Sequence, residues 1–200
     1  MSTRRRPQCL GELSLQSIFR FISTIVYRAF LRNLTNMTLI RLANIQDLPS
    51  MLEIYNDEIE HGTATFDTKP LSLQERLAWF NDHNKNNHPL IVAEINGEVL
   101  GYASLSTFNA KSAYDSSTEL SVYVHKKVRG QGIGRLLMQH ILQMAADDPI
   151  THRVYSLITA DNTASIALHQ KFDFRLVGTI TEAGTKFGRW LDVTYWEKAV

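Results

Sequence analysis

The segment Glu119-Leu-Ser-Val-Tyr-Val-His-Lys-Lys-Val-Arg-Gly-Gln-Gly-Ile-Gly-Arg135 decides how the rest of the chain is read. From Glu119 to Val124, polar and apolar side chains alternate and β-branched residues recur, the pattern of a half-buried strand. Beyond the glycines, Ile133, Leu136, Leu137, His140, Ile141 and Met144 return at helical spacing. The segment therefore reads as a strand, a glycine-rich turn and the start of an amphipathic helix. The first turn of a helix carries backbone N–H groups without intrahelical acceptors, and the aligned peptide dipoles add a partial positive charge there. A phosphate satisfies both, and glycines let the backbone approach it closely.

Spacing discriminates among phosphate loops. An NTPase loop needs Gly-Lys-Ser/Thr to put a lysine on the phosphates and a hydroxyl on magnesium, but Gly134 is followed by Arg135 and Leu136. A dinucleotide loop needs Gly-x-Gly-x-x-Gly. With Gly130 and Gly132 as its first two glycines, the third place is Arg135, and no acid lies about 20 residues on to hold a ribose. What remains is Arg129-x-x-Gly132-x-Gly134 directly after a strand, beside the plain alternative of an ordinary glycine-rich turn.

Working outward, the 200-residue chain is 44% hydrophobic and 20% charged, ordinary values for a globular domain with a sizeable core. Its net charge of +1 gives no general attraction to nucleic acid, but the charge is uneven. Residues 1–36 hold six arginines and one glutamate, net +5, leaving −4 for the rest. Ser14 to Leu34 reads SLQSIFRFISTIVYRAFLRNL. It suits a basic amphipathic helix on a membrane or partner, centred on residues 13–34, or a dispensable upstream extension. Arg20 and Arg28 break it before the ~20 apolar residues a bilayer requires, and it has no clear secretory cleavage site. We expect residues 1–36 to be an extension and 37–200 the domain. Cys9 is the sole cysteine, which excludes an intramolecular disulfide and a cysteine metal site and fits a cytoplasmic setting. The histidines show no paired metal spacing, so no metal is expected.

From Met37 the pattern is regular. Thr38–Leu42 reads as a strand, and Asp47 with Pro49 opens a helix whose apolar face is Met51, Leu52, Ile54, Tyr55 and Ile59, ending near His61-Gly62. Thr63–Pro70 is a loop. Ser72 and Glu75 form a capping box for a helix carrying Leu77, Trp79 and Phe80. Leu90–Ala93 and Val99–Leu105 are strands joined by the hairpin dipeptide Asn96-Gly97, and Phe108–Ser117 is a polar loop. After the long helix come a strand at Arg153–Thr159 and a helix from Asp161-Asn162-Thr163 carrying Ile166, Ala167, Leu168 and Phe172. Two last strands, Phe174–Glu182 and Trp190–Trp196, lie around Gly184 and Gly188.

Arg129-x-x-Gly132-x-Gly134 after a strand resembles the acetyl-CoA pyrophosphate loop of the GNAT N-acetyltransferase family, and the element order resembles that family's fold. The resemblance implies a single α/β domain with a mixed, mostly antiparallel sheet flanked by helices. Within the family the chain looks most like phosphinothricin or methionine sulfoximine acetyltransferases. Three stretches carry that likeness: Thr65-Phe66-Asp67-Thr68 with Pro70, Glu119 with Ser121-Val-Tyr-Val-His125, and Lys186-Phe-Gly-Arg-Trp-Leu-Asp192. The implied activity is transfer of acetyl from acetyl-CoA to the α-amino group of a small amino acid or analogue, with resistance to such analogues as its outcome. The implied assembly is a homodimer, with Lys186–Asp192 near the interface or active site. Alternatives are a protein or peptide N-acetyltransferase and a non-catalytic CoA-binding module.

Carried over by position, the resemblance puts the pyrophosphate on Arg129, Gly130, Gln131, Gly132, Ile133, Gly134 and Arg135, and the pantetheine arm on Val122, Tyr123 and Val124. Asn162 and Ser165 match second-arm contacts, and Asn162 also suits a plain helix N-cap. Glu119 is the expected base, sharing a strand face with Ser121 and Tyr123, and a backbone N–H near Val124 is the expected oxyanion donor. His169 stands where many relatives have a tyrosine that can protonate the leaving thiolate. Expected substrate contacts are Phe66, Glu119, Tyr114, and Lys111 or Arg76 for a carboxylate.

Overall fold

The computed structural model describes residues 37–200, so the expected extension at 1–36 lies outside the described residues. Eleven elements follow: β1 Thr38–Leu42, α1 Leu48–His61, α2 Leu73–Asn81, β2 Leu90–Ile95, β3 Glu98–Thr107 and β4 Ser117–Val124, then α3 Ile133–Asp147, β5 Arg153–Thr159, α4 Thr163–Lys171, β6 Arg175–Lys186 and β7 Arg189–Ala199. Short 3₁₀ turns precede α1 and α3 and interrupt the loop before β4. The seven strands form one sheet in the order β1-β2-β3-β4-β5-β7-β6. Every neighbouring pair is antiparallel except β4 and β5. This is the expected single α/β domain with a mostly antiparallel sheet.

Local chemistry explains the boundaries. The Ser72 hydroxyl accepts from the Glu75 N–H while the Glu75 carboxylate accepts from the Ser72 N–H, closing the capping box of α2. Asn96 and Gly97 both take positive φ (52° and 82°), the geometry of a two-residue hairpin turn. The last hairpin turns at Phe187-Gly188, both again at positive φ, so β6 runs straight through Gly184 and that glycine is no turn residue. The cause is a register shift between Ile180 and Gly184, where β6 carries extra residues against β7.

Helices cover both faces of the sheet. On one, α3 packs Leu137, Met138 and Ile141 against Ile91, Ala93, Ala103 and Leu120. On the other, α1 places Met51 and Ile54 against Leu90, Val92 and Tyr102, with Trp79 and Phe80 of α2 beside them. Strand β2 is buried on both faces, as its unbroken apolar run requires. The buried stripe of α3 is Ile133, Leu137, Met138, Ile141, Leu142 and Ala145. That corrects the expected face, since Leu136 and Met144 are half-buried and His140 is exposed. In α4 only His169 is fully buried, while Ile166, Leu168 and Phe172 pack as partly buried neighbours.

Candidate active site

The parallel pair β4–β5 is joined only at its start, through Ser117–Glu119 against Arg153–Tyr155. Beyond Glu119 the strands part, and a cleft opens between Leu120–Val124 and Ser156–Thr159. Backbone direction within it follows from alternation. The His125 N–H bonds the Leu100 carbonyl on β3, so Val124 turns the other way, and Val122 with it. Their N–H and C=O groups face the cleft. The Val124 carbonyl accepts from Arg129 Nε at 3.0 Å, while the β4–β5 pairing ends at Glu119, short of the Val122 and Val124 N–H groups.

The glycine turn closes one end of this cleft. Gly132 occupies the N-cap of α3 at φ 90°, where a side chain is strained and no capping side chain exists. The first-turn amides of α3 are thus left without a side-chain acceptor. Arg129 also pairs with the buried Glu58 carboxylate at the end of α1, which ties the turn to that helix. The cleft has a volume of about 470 Å³. Of the residues expected there, Val122, Tyr123, Val124, Arg129, Gly130, Gly134, Asn162 and Ser165 line it. Gln131, Gly132, Ile133 and Arg135 do not reach its wall: the Gln131 amide bonds the Lys127 carbonyl, and Ile133 belongs to the core. Asn162 caps α4 by accepting the Ser165 N–H at 3.1 Å.

A second cavity, of about 330 Å³, adjoins the first and shares Thr63, Ala64, Ser121, Tyr123, Leu157 and Thr159 with it. Glu119, Ser121 and Tyr123 line it together, as the strand alternation requires. Glu119 has no hydrogen-bond partner among the described residues, and burial raises its carboxyl above the usual range. A carboxylate so placed holds a proton more firmly than a solvated one. Tyr123 stacks on Tyr102 (5.1 Å) and meets Tyr55 edge-on (5.3 Å), and burial pushes its phenol well above the ordinary value.

Arg76, only 8% exposed, lies over Trp79 at 3.6 Å and Tyr55 at 4.1 Å. It lines the smaller cavity, as expected of a carboxylate contact. No carboxylate pairs with it among the described residues. A desolvated cation facing a cavity favours an anionic group there. Phe66 lines the same cavity, but Lys111 and Tyr114 do not. They sit on the exposed loop after β3, where Tyr114 packs on Phe108, which in turn stacks on Tyr155. That loop is pinned away from the cavity by its own aromatic contacts.

His169 lines the larger cleft, with both ring nitrogens engaged. Nδ1 lies 2.8 Å from the Ser165 carbonyl, an acceptor only, so Nδ1 carries the proton. Nε2 then accepts from the Ser156 hydroxyl at 3.0 Å. Burial lowers its pKa, so the ring is neutral and has no spare proton to give. Sequence reasoning missed Thr63, Leu157, Thr159 and the hydroxyl of Tyr55, which donates to Asp67 at 2.8 Å. Only Tyr55 carried a signal, a polar tip on an otherwise apolar helix face.

Among the described residues no helix is long and apolar enough to cross a membrane. Residues 48–174 match the model of the Acetyltransferase (GNAT) family. The chain is 39% identical over 157 residues to an L-methionine sulfoximine/L-methionine sulfone acetyltransferase of Pseudomonas aeruginosa, covering 78% of this chain and 91% of that protein. It is 41% identical to a phosphinothricin N-acetyltransferase of Streptomyces coelicolor, covering 76% and 91%. Among solved structures, a phosphinothricin acetyltransferase of Sinorhizobium meliloti in complex with acetyl-CoA superposes with a TM-score of 0.78 at 32% identity, over 82% of this chain and 89% of that one. The split sheet, the uncapped glycine turn and these likenesses agree: the chain belongs to the GNAT family of acetyltransferases.

Proposed function

We propose that the protein transfers acetyl from acetyl-CoA to the α-amino group of a small amino acid or analogue of the methionine sulfoximine, methionine sulfone or phosphinothricin type, and that it confers resistance to such analogues. The observation that carries this is the presence of a half-buried carboxylate, Glu119, and a buried guanidinium, Arg76, with no carboxylate partner among the described residues, in one cavity that opens onto the edge of β4. A zwitterionic amino acid matches that pair, ammonium to Glu119 and carboxylate to Arg76. The relatives' names point to the same acceptors.

Acetyl-CoA supplies an activated acetyl thioester. The residues that would hold it are Arg129 with Gly130 and Gly134 at the pyrophosphate, in front of the uncapped first turn of α3, and Val122 and Val124 along the pantetheine arm. Asn162 and Ser165 would stand on the opposite wall. Glu119 takes the proton that the acceptor's ammonium must lose, and its raised pKa makes it a better match to that task. The inward N–H groups of Val122 and Val124 offer donors to developing negative charge on an oxygen. His169 in its present bonding orients Ser156 rather than donating a proton.

The test is release of CoA from acetyl-CoA with L-methionine sulfoximine, L-methionine sulfone and phosphinothricin as acceptors. Release with these and not with polyamines or peptide N-termini is the expected result, and no release with any of a broad amine panel overturns the reading. We also infer that residues 37–200 form the catalytic domain, acting in the cytoplasm, so a chain started at Met37 keeps its activity. A homodimer through the β6–β7 hairpin belongs to the same reading. Strand β6 is a sheet edge, and Leu176, Val177, Ile180, Phe187 and Trp190 are exposed along the β6–β7 hairpin and its turn. Light scattering after size exclusion checks it, with a monomer as the overturning outcome.

A further inference from the structure

Phe66 forms one wall of the smaller cavity, and behind it stands a glycine. Gly184 does not itself reach the cavity, so the Phe66 ring separates the two. A Cβ at Gly184 would lie 2.6 Å from Phe66 Cε2 and 2.8 Å from Cδ2, well inside the ~3.5–4.0 Å at which carbon atoms rest together. The backbone does not require glycine at this position. Gly184 pairs with Leu191 in the β6–β7 ladder and is not among the positive-φ residues, so an L side chain fits its conformation. What the missing side chain provides is a seat for the ring.

The same strand face also fixes the neighbouring backbone. Lys186, two residues on and therefore on the same side of β6, is buried and donates Nζ to the Thr65 carbonyl at 2.8 Å and to the Glu58 carbonyl at 3.0 Å. Thr65 is thus held to β6 by its carbonyl and Phe66 by its ring. With the backbone of Thr65 anchored to β6 and Gly184 paired with Leu191, the direct relief of a side chain at 184 is movement of the Phe66 ring away from β6, on the side where it lines the cavity.

We propose that position 184 sets the size of the acceptor. Gly184 lets Phe66 lie back against β6, leaving depth for an amino-acid side chain of methionine length, and a larger residue there drives the ring forward and selects short acceptors. The inference rests on the reading of this cavity as the acceptor site. It is tested with Gly184→Ala, Phe66→Ala and the double variant, comparing kcat/KM for L-methionine sulfone with that for L-serine. In Gly184→Ala the ratio is expected to fall about tenfold or more, the discrimination one methylene of pocket room gives, and the fall disappears when Phe66 is also alanine. An unchanged ratio, a shift toward the longer acceptor, or the same fall with and without Phe66 overturns the proposal. Thermal unfolding gives a second readout: Gly184→Ala lowers Tm when Phe66 is present and not when it is absent, and equal losses overturn the coupling. Failure of the wild-type chain to release CoA with any amino acid is a separate outcome, which removes the acceptor reading before any variant is compared.

Discussion

The two adjoining cavities are built from different materials. The larger is made of backbone: a strand edge left unpaired where β4 and β5 part, and a glycine turn whose helix has no side-chain cap. The smaller is made of side chains, with Glu119 from β4, Arg76 and Trp79 from α2, Tyr55 from α1 and Phe66 from the loop between them. A backbone site tolerates change in most of its side chains but not in its φ angles. A side-chain site is the reverse, and its specificity can drift while the donor machinery stays fixed. Variants that affect one cavity and spare the other are therefore the sharpest probes of this division.

The largest expected effect is at Glu119. Glu119→Gln should lower kcat by about 10²–10⁴-fold, the usual worth of a positioned base, with acetyl-CoA affinity by calorimetry unchanged. Equal losses in both would dissolve the division. The pH profile carries the sign: burial raises the carboxyl's pKa, the ionised form is the one that accepts a proton, and so kcat/KM falls as pH drops through that raised value. In Glu119→Gln this acidic limb should vanish. Next is Arg76→Met, expected to raise the acceptor's KM about 10–100-fold through loss of a charged hydrogen bond worth roughly 1.5–3 kcal/mol, with KM for acetyl-CoA unmoved. Arg76→Lys should not restore it, because a lysine cannot stack flat on Trp79.

Smaller still is the reciprocal probe in the backbone site. Gly132→Ala puts a Cβ on a residue at φ 90°, a strain of roughly 1–2 kcal/mol, and is expected to raise KM for acetyl-CoA about tenfold without touching the acceptor's. The least effect is on stability. His169 has its pKa lowered by burial, so between that lowered value and the ordinary imidazole value of about 6.5 the unfolded chain binds the extra proton. Stability is therefore fully present above that range and is lost as pH falls through it. His169→Gln should flatten this part of the acid-unfolding curve, and a curve unchanged from wild type would show that His169 is not buried neutral.

The same division explains what sequence could show. The donor side was legible because its signals are local: an alternating strand, three glycines and a helical period lie within Glu119–Met144. Element order and the hairpin turn at Asn96-Gly97 were legible for the same reason. The acceptor side draws on residues far apart in the chain, and local pattern misassigned some of them. Arg76 and Lys111 read as equivalent carboxylate contacts, and only stacking on Trp79 and Tyr55, which no local pattern shows, places Arg76 on the cavity wall. Lys111 has the right chemistry, but the Phe108–Tyr155 stack holds its loop elsewhere. Gly184 looked like a turn, because no sequence rule distinguishes a glycine needed for φ from one needed to seat the aromatic ring of Phe66, 118 residues earlier.

The parting of β4 from β5 leaves the sheet with an open slot beyond Glu119. An extended ligand that fills it completes the hydrogen-bond ladder much as an added strand would. The melting temperature then becomes a titration of donor occupancy. A ligand present at a hundredfold excess over its Kd adds about 2.7 kcal/mol to the folded state, and the gain should be found in β4 and β5, as slowed amide exchange at Val122 and Val124 ahead of any residue in the β1–β2 half of the sheet.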